Sequence, residues 1–520
     1  MRPNLDILTR KEREMKPLDR MELSRRQFIG GSALVSAGLL LGSSTLPFLH
    51  GCSYSSDWKG ISFPKLALTN FKLFDGVHDK LDEGQAVLVE GGVIKDIGRM
   101  ADLSASTNYK VVDLKGCTLM PGLIDNHVHI TVPQMGKVNV NFFRQMEQQI
   151  VNNFRSCVMS GVTTVRDVGG FPGKVQKYRA LADTNQIPGP RVISSLSPIA
   201  AKKDEKLGPP ERAPYFTNPV TKWLLGGNYA ERPQTVEEVR EACERMVSLG
   251  AQLLKTLYQE QSYSYHPRLL PNHSDESYRA ILAIGRKHGL KCALHEPFVS
   301  GFKKGVDLGF NTLEHMPMDD LIPEIYVERF MEQGMAIMPT MMAYGDMFEE
   351  EKILGFIAAQ GSECLVPEAV KQISDKLKES QAQQGLSAEQ RKSLIFDRQY
   401  IKDKYPNIVK NLQLLYRKGA TVGVGTDLGG VFAGIFGRYT DELKRYTAAG
   451  VSNFDAIRMA TAVNAKILGM EGKIGTIKKG AYADLIAVRG NPLGDIQALD
   501  TVDLVMKGGV FMKPEKSMPA

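Results

Sequence analysis

The stretch LMPGLIDNHVHI (119–130) ends an apolar run with two histidines one residue apart, His127 and His129. Successive side chains of a β-strand alternate between its two faces, so these imidazoles leave one face of one strand together. A neutral imidazole nitrogen is a ligand for zinc and similar metals. Alone, a His-x-His pair is a weak signal, because most such pairs are ordinary surface or core histidines.

Four later residues with metal-binding chemistry stand at or near the end of a short apolar run. They are Lys255 in AQLLK, His295 in KCALHEP, His315 in FNTLEHMP and Asp427 in TVGVGTD. Such runs, bounded by polar or turn residues, are typical of buried parallel strands. In a (β/α)8 barrel the active site forms at the C-terminal ends of the strands. The sequence therefore predicts that these four residues meet His127 and His129 in one metal site.

The α/β barrel is predicted to run from about 118 to 465. Asp167, near a strand end, could be a further ligand, but a structural hydrogen-bonding role is favoured for it. Further predicted barrel elements are the strands VTTVRDV (162–168), PRVISSL (190–196) and AIMPTMMAY (336–344), and the helix TVEEVREACERMVSLG (235–250), which stops at a glycine.

A long polar and helical stretch, residues 345–418, follows the strand predicted at 336–344. One interpretation is a solvated helical insertion. The other is a lid over the barrel mouth, because long insertions after barrel strands often cover the substrate. The sequence leaves both interpretations open.

The two ends of the chain carry β-patterned segments. Residues 62–117 contain LALTNFKLFDG, QAVLVEGGVIKDIG and YKVVDLKGCTLM, and residues 470–515 contain DLIAVRG and VDLVMKGGVFMK. Gly-rich turns separate them. Because single hairpins are not stable alone, the economical interpretation is one small β-sandwich formed by both chain ends, with the barrel inserted between them.

Taken with PGLIDNHVH, the segments GVTTVRDVGG (161–170), GVGTD (423–427) and GKIGTIKKGAYADLIAV (472–488) resemble the amidohydrolase superfamily. Within it, the chain is similar to imidazolonepropionase and to the metal-dependent, prolidase-like dipeptidases. The resemblance extends over most of the chain and implies the same arrangement of barrel and sandwich. One segment departs from it. Many relatives carry Gly-Gly-His after the third strand, whose histidine contacts the substrate carbonyl, and this chain has SLSPIAAKKDEK (195–206) there.

The resemblance implies two divalent metal ions, with zinc the expected metal. His127, His129 and Asp427 would hold the more buried ion, and His295 and His315 the more exposed one. Two metals a few Å apart lower the pKa of a shared water from about 15.7 towards 7 and polarise the attacked carbonyl. Asp427 would accept the proton of the attacking water and pass it to the leaving amine.

Lys255 would bridge the two metals after modification. An ammonium group is a poor ligand, but burial behind Leu253 and Leu254 would lower its pKa. The neutral amine can then take up carbon dioxide and give an anionic, bidentate carbamate, which in similar enzymes bridges the metals. The alternative for Lys255 alone is an ion-paired lysine of the barrel.

These implications predict hydrolysis of a C–N amide bond in a small molecule, either a dipeptide or an N-acyl amino acid. The alternative is a cyclic-amide hydrolase or a deaminase on the same barrel, acting on an imidazolone, a hydantoin or a nucleobase-like compound. A non-catalytic binding protein on a decayed barrel would have lost ligands, and none of the six is lost.

Two further features bear on substrate binding and on the support of the site. The loop TLYQEQSYSYHPR (256–268) offers phenols and Arg268 for an anionic substrate end, although Tyr-rich loops often simply pack. Glu314, beside His315, could support the site or lie on the surface.

Residues 1–52 are predicted to be an export signal. SRRQFI (24–29) resembles the twin-arginine motif, and an uncharged run rich in Gly, Ser and Leu follows to Gly51. LHGC (49–52) resembles a bacterial lipobox with Cys52 as the lipidated residue. We therefore expect the export machinery as a partner and a location beyond the bacterial cytoplasmic membrane, either periplasmic or anchored through Cys52.

The composition argues against two other classes. The net charge is +7, without a basic stripe interleaved with aromatic residues, so nucleic acid is not an expected partner. The cysteines other than Cys52 are far apart and lack Cys-x-x-Cys spacing, so we expect reduced, mostly buried thiols rather than a disulfide framework.

Overall fold

The computed structural model describes residues 58, 60–99, 101–103, 108–133, 140–201, 226–391, 394, 396–429 and 434–512. All the described residues belong to one unit, which begins at Tyr54. The predicted export signal and Cys52 therefore lie outside the described residues.

The described strands and helices are as follows in chain order. The strands are β1 (Ile61–Ser62), β2 (Lys65–Thr69), β3 (Lys72–Leu73), β4 (Ala86–Glu90), β5 (Val93–Gly98), β6 (Lys110–Asp113), β7 (Thr118–Pro121), β8 (Leu123–Val128), β9 (Val162–Asp167), β10 (Arg191–Ser194), β11 (Leu253–Leu257), β12 (Lys291–His295), β13 (Thr312–Glu314), β14 (Ala336–Met338), β15 (Thr421–Val422), β16 (Leu485–Val488), β17 (Val502–Lys507) and β18 (Val510–Phe511). The α-helices are α1 (Val140–Met159), α2 (Pro172–Asp183), α3 (Val236–Ser248), α4 (Asp275–Lys287), α5 (Val299–Leu308), α6 (Glu324–Glu332), α7 (Met341–Gly345), α8 (Glu350–Cys364), α9 (Pro367–Ala382), α10 (Ala388–Arg391), α11 (Arg398–Lys418), α12 (Tyr439–Ala448), α13 (Asn453–Arg458) and α14 (Asn464–Leu468).

The barrel consists of the parallel strands β8 to β15. Three of them pair in the order β10-β9-β8 and five in the order β11-β12-β13-β14-β15. Single bridges from Val128 to Leu428 and from Ile199 to Thr256 join the two groups at both edges, which closes the barrel. The C-terminal ends of all these strands meet at one mouth, as the apolar runs predicted.

Helices cover the outside of the barrel, and α3 shows why its sequence forms one. The Thr235 hydroxyl accepts a hydrogen bond from the Glu238 amide, and the Glu238 side chain bonds back to the Thr235 amide, which completes a capping box. Val239 and Met246 on one face are buried. The chain leaves the helix through Gly250 at φ +87°, a conformation that favours glycine. The helix predicted at 235–250 is present.

Both ends of the chain build the β-sandwich. One sheet has the order β1-β18-β17-β16-β7-β3 and therefore mixes N-terminal with C-terminal strands, and the other has the order β5-β4-β2-β6. Leu66 and Val87 of the second sheet share one hydrophobic core with Leu485, Leu504 and Met506 of the first. Because β7 leads directly into β8, the sandwich fixes where the first barrel strand begins.

The long segment after β14 is helical, and ion pairs and hydrogen bonds dock it against the barrel. Gln149 of α1 donates to the Cys364 carbonyl (3.0 Å) and accepts from the Val366 amide (2.8 Å). The buried Arg438 binds both carboxylate oxygens of Asp346 (2.8 and 3.0 Å). These bonds tie helices α8 and α9 to the side of the barrel, and the lid over the mouth stays a prediction.

The strand predicted over residues 336–344 is wrong beyond Met338. Thr340 has φ +48°, which breaks the extended backbone, and Met341–Gly345 forms the short helix α7. The buried Glu442 carboxylate accepts hydrogen bonds from the amides of Met341 (2.8 Å) and Met342 (2.6 Å) at the start of this helix. An apolar, Met-rich run is compatible with strand or helix, and this anchor favours the helix.

The described cysteines are free thiols, and all of them except the half-buried Cys117 are buried, as expected. Within the described ranges no helix is both long and apolar enough to cross a membrane.

Candidate metal centre

His127, His129 and Asp427 form the tightest group of possible metal ligands in the described part of the chain. Asp427 Oδ1 lies 3.5 Å from His127 Nε2 and 3.2 Å from His129 Nε2. One ligand atom from each of the three residues lies within 4.8 Å of those of the other two. This spacing suits three ligands of one ion, since metal–nitrogen and metal–oxygen bonds are each about 2.0–2.2 Å long.

Local backbone geometry brings Asp427 to the histidines. The Asp427 amide donates to the His127 carbonyl (2.7 Å), so the loop after β15 runs along the end of β8. A Cβ atom on Gly425 would lie 2.6 Å from His127 Cβ, which explains the glycine in GVGTD. Asp427 itself has φ +58°, a conformation that is uncommon for a residue with a side chain and is often found at functional sites.

His295 and His315 stand beside this group at the ends of β12 and β13. Their ring centroids are 4.5 Å apart, and the ring of His315 is 4.8 Å from that of His127. His315 has φ +81°, and its amide donates to the Met338 carbonyl (2.8 Å) on the next strand. The strained backbone therefore turns this imidazole into the mouth.

Hydrogen bonds fix which nitrogen each histidine can offer to a metal. Nδ1 is occupied in three of them, by Glu314 Oε2 at His127 (2.8 Å), by the Gly169 carbonyl at His129 (2.7 Å) and by Thr340 Oγ1 at His315 (2.7 Å). These bonds direct Nε2 into the site. In His295 the two ring nitrogens exchange these roles. Its Nε2 bonds Gln259 Oε1 (3.1 Å), so Nδ1 is left for a metal.

Lys255 lies in β11 with its amine inside the barrel. The side chain is buried, and Nζ has no hydrogen-bond partner among the described residues. Burial lowers the pKa of Lys255 to about 8. A buried amine without a partner is costly, so this atom calls for a group that the protein chain itself does not supply. A carbamate between two metals is such a group, and the donor set around Nζ fits it.

The protonation states of the neighbouring residues also suit metal binding. Burial, followed by the charge of Lys255, lowers the pKa of His295 to about 3, and burial with the neighbouring histidines holds the pKa of His315 well below its usual value. Burial opposes ionisation of Asp427, but hydrogen bonds from His127 and His129 hold its pKa well below the usual value. His295 and His315 are thus neutral imidazoles and Asp427 is a carboxylate, the forms that bind metals. Although burial opposes it, the hydrogen bond and charge of Asp427 raise the pKa of His129.

Glu314 supports the site from inside the barrel and is not a surface residue. It is fully buried, and Arg166 Nη2 donates to both of its carboxylate oxygens (2.7 and 2.8 Å). The Thr312 hydroxyl adds a further bond (2.7 Å). Although burial opposes ionisation, Arg166, Lys255 and His127 lower the pKa of Glu314 to about 2, so a carboxylate orients His127.

Asp167 has the structural role that the sequence favoured. Its carboxylate accepts hydrogen bonds from the Ile130 amide (2.9 Å) and the Ser194 hydroxyl (3.0 Å), which joins the ends of three neighbouring strands. Asp125 acts similarly between β8 and the segment after β15, since it accepts from the Thr426 hydroxyl (2.6 Å) and amide (3.1 Å).

An aromatic cluster adjoins His315 at the mouth. Tyr344 lies 6.1 Å from His315 and 6.2 Å from Tyr263 between ring centroids, and Tyr263 stacks on Phe396 at 5.3 Å. Tyr263 belongs to the loop in which we expected contacts to an anionic substrate. In the same loop, the Tyr258 hydroxyl donates to Glu260, so part of the loop's hydrogen-bonding capacity is already used.

Sequence reasoning missed the residues that orient the six predicted ligands. Gln259 bonds His295 and Thr340 bonds His315, while Arg166 binds Glu314, which in turn bonds His127. No spacing rule links these residues to the ligands in the chain. Tyr229 was missed as well, although its hydroxyl lies 3.3 Å from His129 Nδ1.

A family model described as "Amidohydrolase family" matches residues 118–512. Among curated proteins, the ochratoxinase of Aspergillus niger is 24% identical over 471 residues, which cover 82% of this chain and 82% of that protein. The dihydroorotase of Pelobacter propionicus is 33% identical over 85 residues, or 16% of this chain. That alignment covers 18% of the dihydroorotase, so this chain matches less than a fifth of its length.

Among solved structures, the chain is similar to a Xaa-Pro dipeptidase crystallised with methionine in its active site. The TM-score is 0.64 at 25% sequence identity, and the alignment covers 86% of this chain and 99% of the dipeptidase. The fold of this chain is thus similar to that of a hydrolase of known structure.

Proposed function

This chain belongs to the amidohydrolase family and is a hydrolase of C–N bonds, and we propose that it uses two divalent metal ions to cleave the amide bond of a dipeptide or an N-acyl amino acid. The observation that carries the proposal is the buried, unpartnered Nζ of Lys255, which interacts electrostatically with Asp427, His295 and His315. An ordinary structural lysine would have an ion-pair partner there.

The residues divide into two ligand sets. His127, His129 and Asp427 would hold one ion, His295 and His315 would hold the other, and the carbamate of Lys255 would serve as an anionic ligand for both. When bound, the ions, which we propose to be zinc, polarise the carbonyl and acidify water. The pKa of about 8 leaves part of Lys255 as neutral amine near pH 7 to 8, which is the form that reacts with carbon dioxide.

Asp427 moves the proton. Its carboxylate accepts a proton from water as the water oxygen attacks the carbonyl carbon, and it then gives this proton to the amine nitrogen as the C–N bond breaks. His127 and His129 hold the carboxylate ionised before the reaction, because both bond to it. Glu314 and the Gly169 carbonyl keep these two rings in place.

One similarity and one structural feature support an amino-acid product. The dipeptidase to which this chain is similar was crystallised with methionine in its active site, and the resemblance covers 86% of this chain and 99% of the dipeptidase. The aromatic cluster of Tyr263, Tyr344 and Phe396 beside His315 gives this side of the mouth an apolar wall that suits a hydrophobic side chain.

A cyclic-amide hydrolase is the second candidate function. The local similarity to dihydroorotases favours it, because that segment is more identical to this chain than the ochratoxinase is over its longer alignment. The chemistry would use the same ligands, but hydrolysis of a ring would give one product, whereas hydrolysis of a dipeptide gives two.

Product analysis separates the two candidates. The purified chain, loaded with zinc and bicarbonate, is incubated with dipeptides, N-acyl amino acids, imidazolones, hydantoins and nucleobases, and the products are identified by mass spectrometry. Release of a free amino acid is the expected result. Ring opening without fragmentation, or release of ammonia, would refute the dipeptidase assignment.

We further propose that the protein is exported through the twin-arginine route and that the site is assembled before export. The motif SRRQFI (24–29) and the uncharged run after it support this proposal. We also propose that Cys52 attaches the protein to the membrane, which labelling with a radioactive fatty acid tests directly.

A further inference from the structure

A phenol stands beside the candidate metal centre and has no place in the mechanism above. Tyr229 lies in the segment that returns to the barrel after β10. Its hydroxyl is 3.3 Å from His129 Nδ1, and its ring lies between those of His129 (6.1 Å) and Phe171 (5.8 Å). Tyr229 as a whole is half-buried.

Main-chain hydrogen bonds hold this segment in place. The Ala200 amide donates to the Glu231 carbonyl (2.9 Å), and the Glu231 amide donates to the Pro198 carbonyl (2.9 Å), so residues on both sides follow the extension of β10. Gly227 has φ +129°, and a Cβ atom there would lie 3.1 Å from Pro172 at the start of α2. Tyr229 is therefore presented from a fixed backbone rather than from a free loop.

The hydrogen bonds of His129 leave the phenol proton without an acceptor. His129 Nδ1 bonds the Gly169 carbonyl (2.7 Å), which requires that Nδ1 carries the proton of the ring. His129 Nε2 faces Asp427 and the metal position. A protonated Nδ1 cannot accept a hydrogen bond, and no other described residue bonds the Tyr229 hydroxyl. Among the described residues the O–H group therefore has no acceptor.

We propose that Tyr229 is a catalytic residue whose hydroxyl donates a hydrogen bond to the carbonyl oxygen of the scissile amide. The bond strengthens as this oxygen gains negative charge when water attacks, and the phenol keeps its proton throughout. A donor aimed at developing charge lowers the barrier without binding the substrate more tightly. The proposal rests on the proposed function only in that the substrate must contain a carbonyl group.

The variant Tyr229→Phe tests this role, because it keeps the ring packed between His129 and Phe171 and removes only the hydroxyl. Zinc content is measured on the purified chain, kcat and KM are measured on whichever carbonyl compound of the product screen the wild type hydrolyses, and the Kd of methylphosphonate is measured by calorimetry. Methylphosphonate is a tetrahedral anion that resembles the attacked carbon in amides and cyclic amides alike. Tyr416→Phe is the matched control, since it removes a hydroxyl that bonds Asp455 (2.7 Å) on the outer helices.

We expect Tyr229→Phe to keep its zinc and its KM, to lose about 100-fold in kcat and to bind methylphosphonate at least about tenfold more weakly. Tyr416→Phe should match the wild type in all three measurements. If Tyr229→Phe instead loses zinc in proportion to its activity, the hydroxyl only positions His129, and the proposal is overturned.

The proposal is also overturned if Tyr229→Phe has the same kcat and the same Kd for methylphosphonate as the wild type. If the screen yields no carbonyl substrate, the proposed function fails, but methylphosphonate binding still decides on Tyr229. A tenfold loss in the variant supports the hydroxyl as a donor, whereas equal binding, or no binding by the wild type, refutes it.

Discussion

Replacing Glu314 by glutamine should weaken both the fold and the metal site, because one carboxylate serves both. In the wild type this carboxylate accepts from His127 Nδ1, from Arg166 and from Thr312, and neither Arg166 nor Glu314 is accessible to solvent. Glutamine has one acceptor oxygen, so its amide group must point at Arg166 or at His127, both of which are donors.

We expect Glu314→Gln to lower both the stability of the fold and the affinity for metal. Removing one partner of a buried ion pair costs about 3–5 kcal/mol, since the Arg166 guanidinium stays buried without its counter-charge. Removing the group that orients a metal-binding histidine lowers metal affinity about 10–100-fold, which corresponds to about 1.4–2.7 kcal/mol. The two effects are separable, because the first is present without metal and the second is not.

Urea unfolding of the metal-free chain measures the first effect, and competition with a zinc chelator measures the second. Glu324→Gln is the matched control, since it breaks an exposed ion pair with Lys418 on the surface and should cost less than about 1 kcal/mol. The double variant Arg166→Met/Glu314→Gln should lose less stability than the sum of the single changes, because it leaves no unpaired buried charge. Equal losses of unfolding free energy and of zinc affinity in Glu314→Gln and Glu324→Gln would refute this role of Glu314.

Three other changes have defined outcomes. Lys255→Ala should lower the zinc content of the chain and abolish its activity. Added formate or acetate should restore part of the zinc content and of the activity, because it supplies a bridging carboxylate. Full zinc content in this variant would contradict the carbamate. Lys507, whose pKa burial lowers from 10.5 to about 8, loses its proton in the folded state at a pH where the unfolded chain still keeps it. The stability of the wild type relative to Lys507→Met should therefore rise by about 2.5 kcal/mol between pH 7 and pH 10, and a difference that does not change with pH would refute this assignment. Replacing Arg25 and Arg26 together by lysine should leave the protein in the cytoplasmic fraction, and unchanged export of this variant would rule out the twin-arginine route.

The sequence was informative where one physical rule links a residue to its position. His127 and His129 lie two residues apart at the end of β8, and the short apolar runs before Lys255, His295 and Asp427 mark barrel strands. Barrel topology therefore brings these residues together, although Lys255 lies within β11 and Asp427 in the loop after β15. The alternating segments at the two chain ends likewise predicted the sheet that they share, because isolated hairpins need a partner.

The sequence failed where long-range contacts decide. Met341 and Met342 look like the continuation of a strand, but the Glu442 carboxylate, about a hundred residues later, fixes them as the start of a helix. Glu314 could not be assigned, because the residue that explains it, Arg166, lies on a strand far away in the chain.

Tyr229 illustrates the same limit in the candidate site. It follows a segment after the third strand in which the expected histidine is absent, and nothing in its own neighbourhood in the sequence indicates a catalytic role. Only the folded backbone places its hydroxyl beside His129.

Six residues are proposed to hold two metal ions, and the number of zinc ions bound per chain tests this most directly. The purified chain is saturated with zinc in the presence of bicarbonate, freed of excess metal by gel filtration and analysed by inductively coupled plasma mass spectrometry against protein concentration. The two proposed ligand sets, which share Lys255, predict two zinc ions per chain. Less than one ion per chain would contradict the binuclear site and the hydrolytic mechanism built on it.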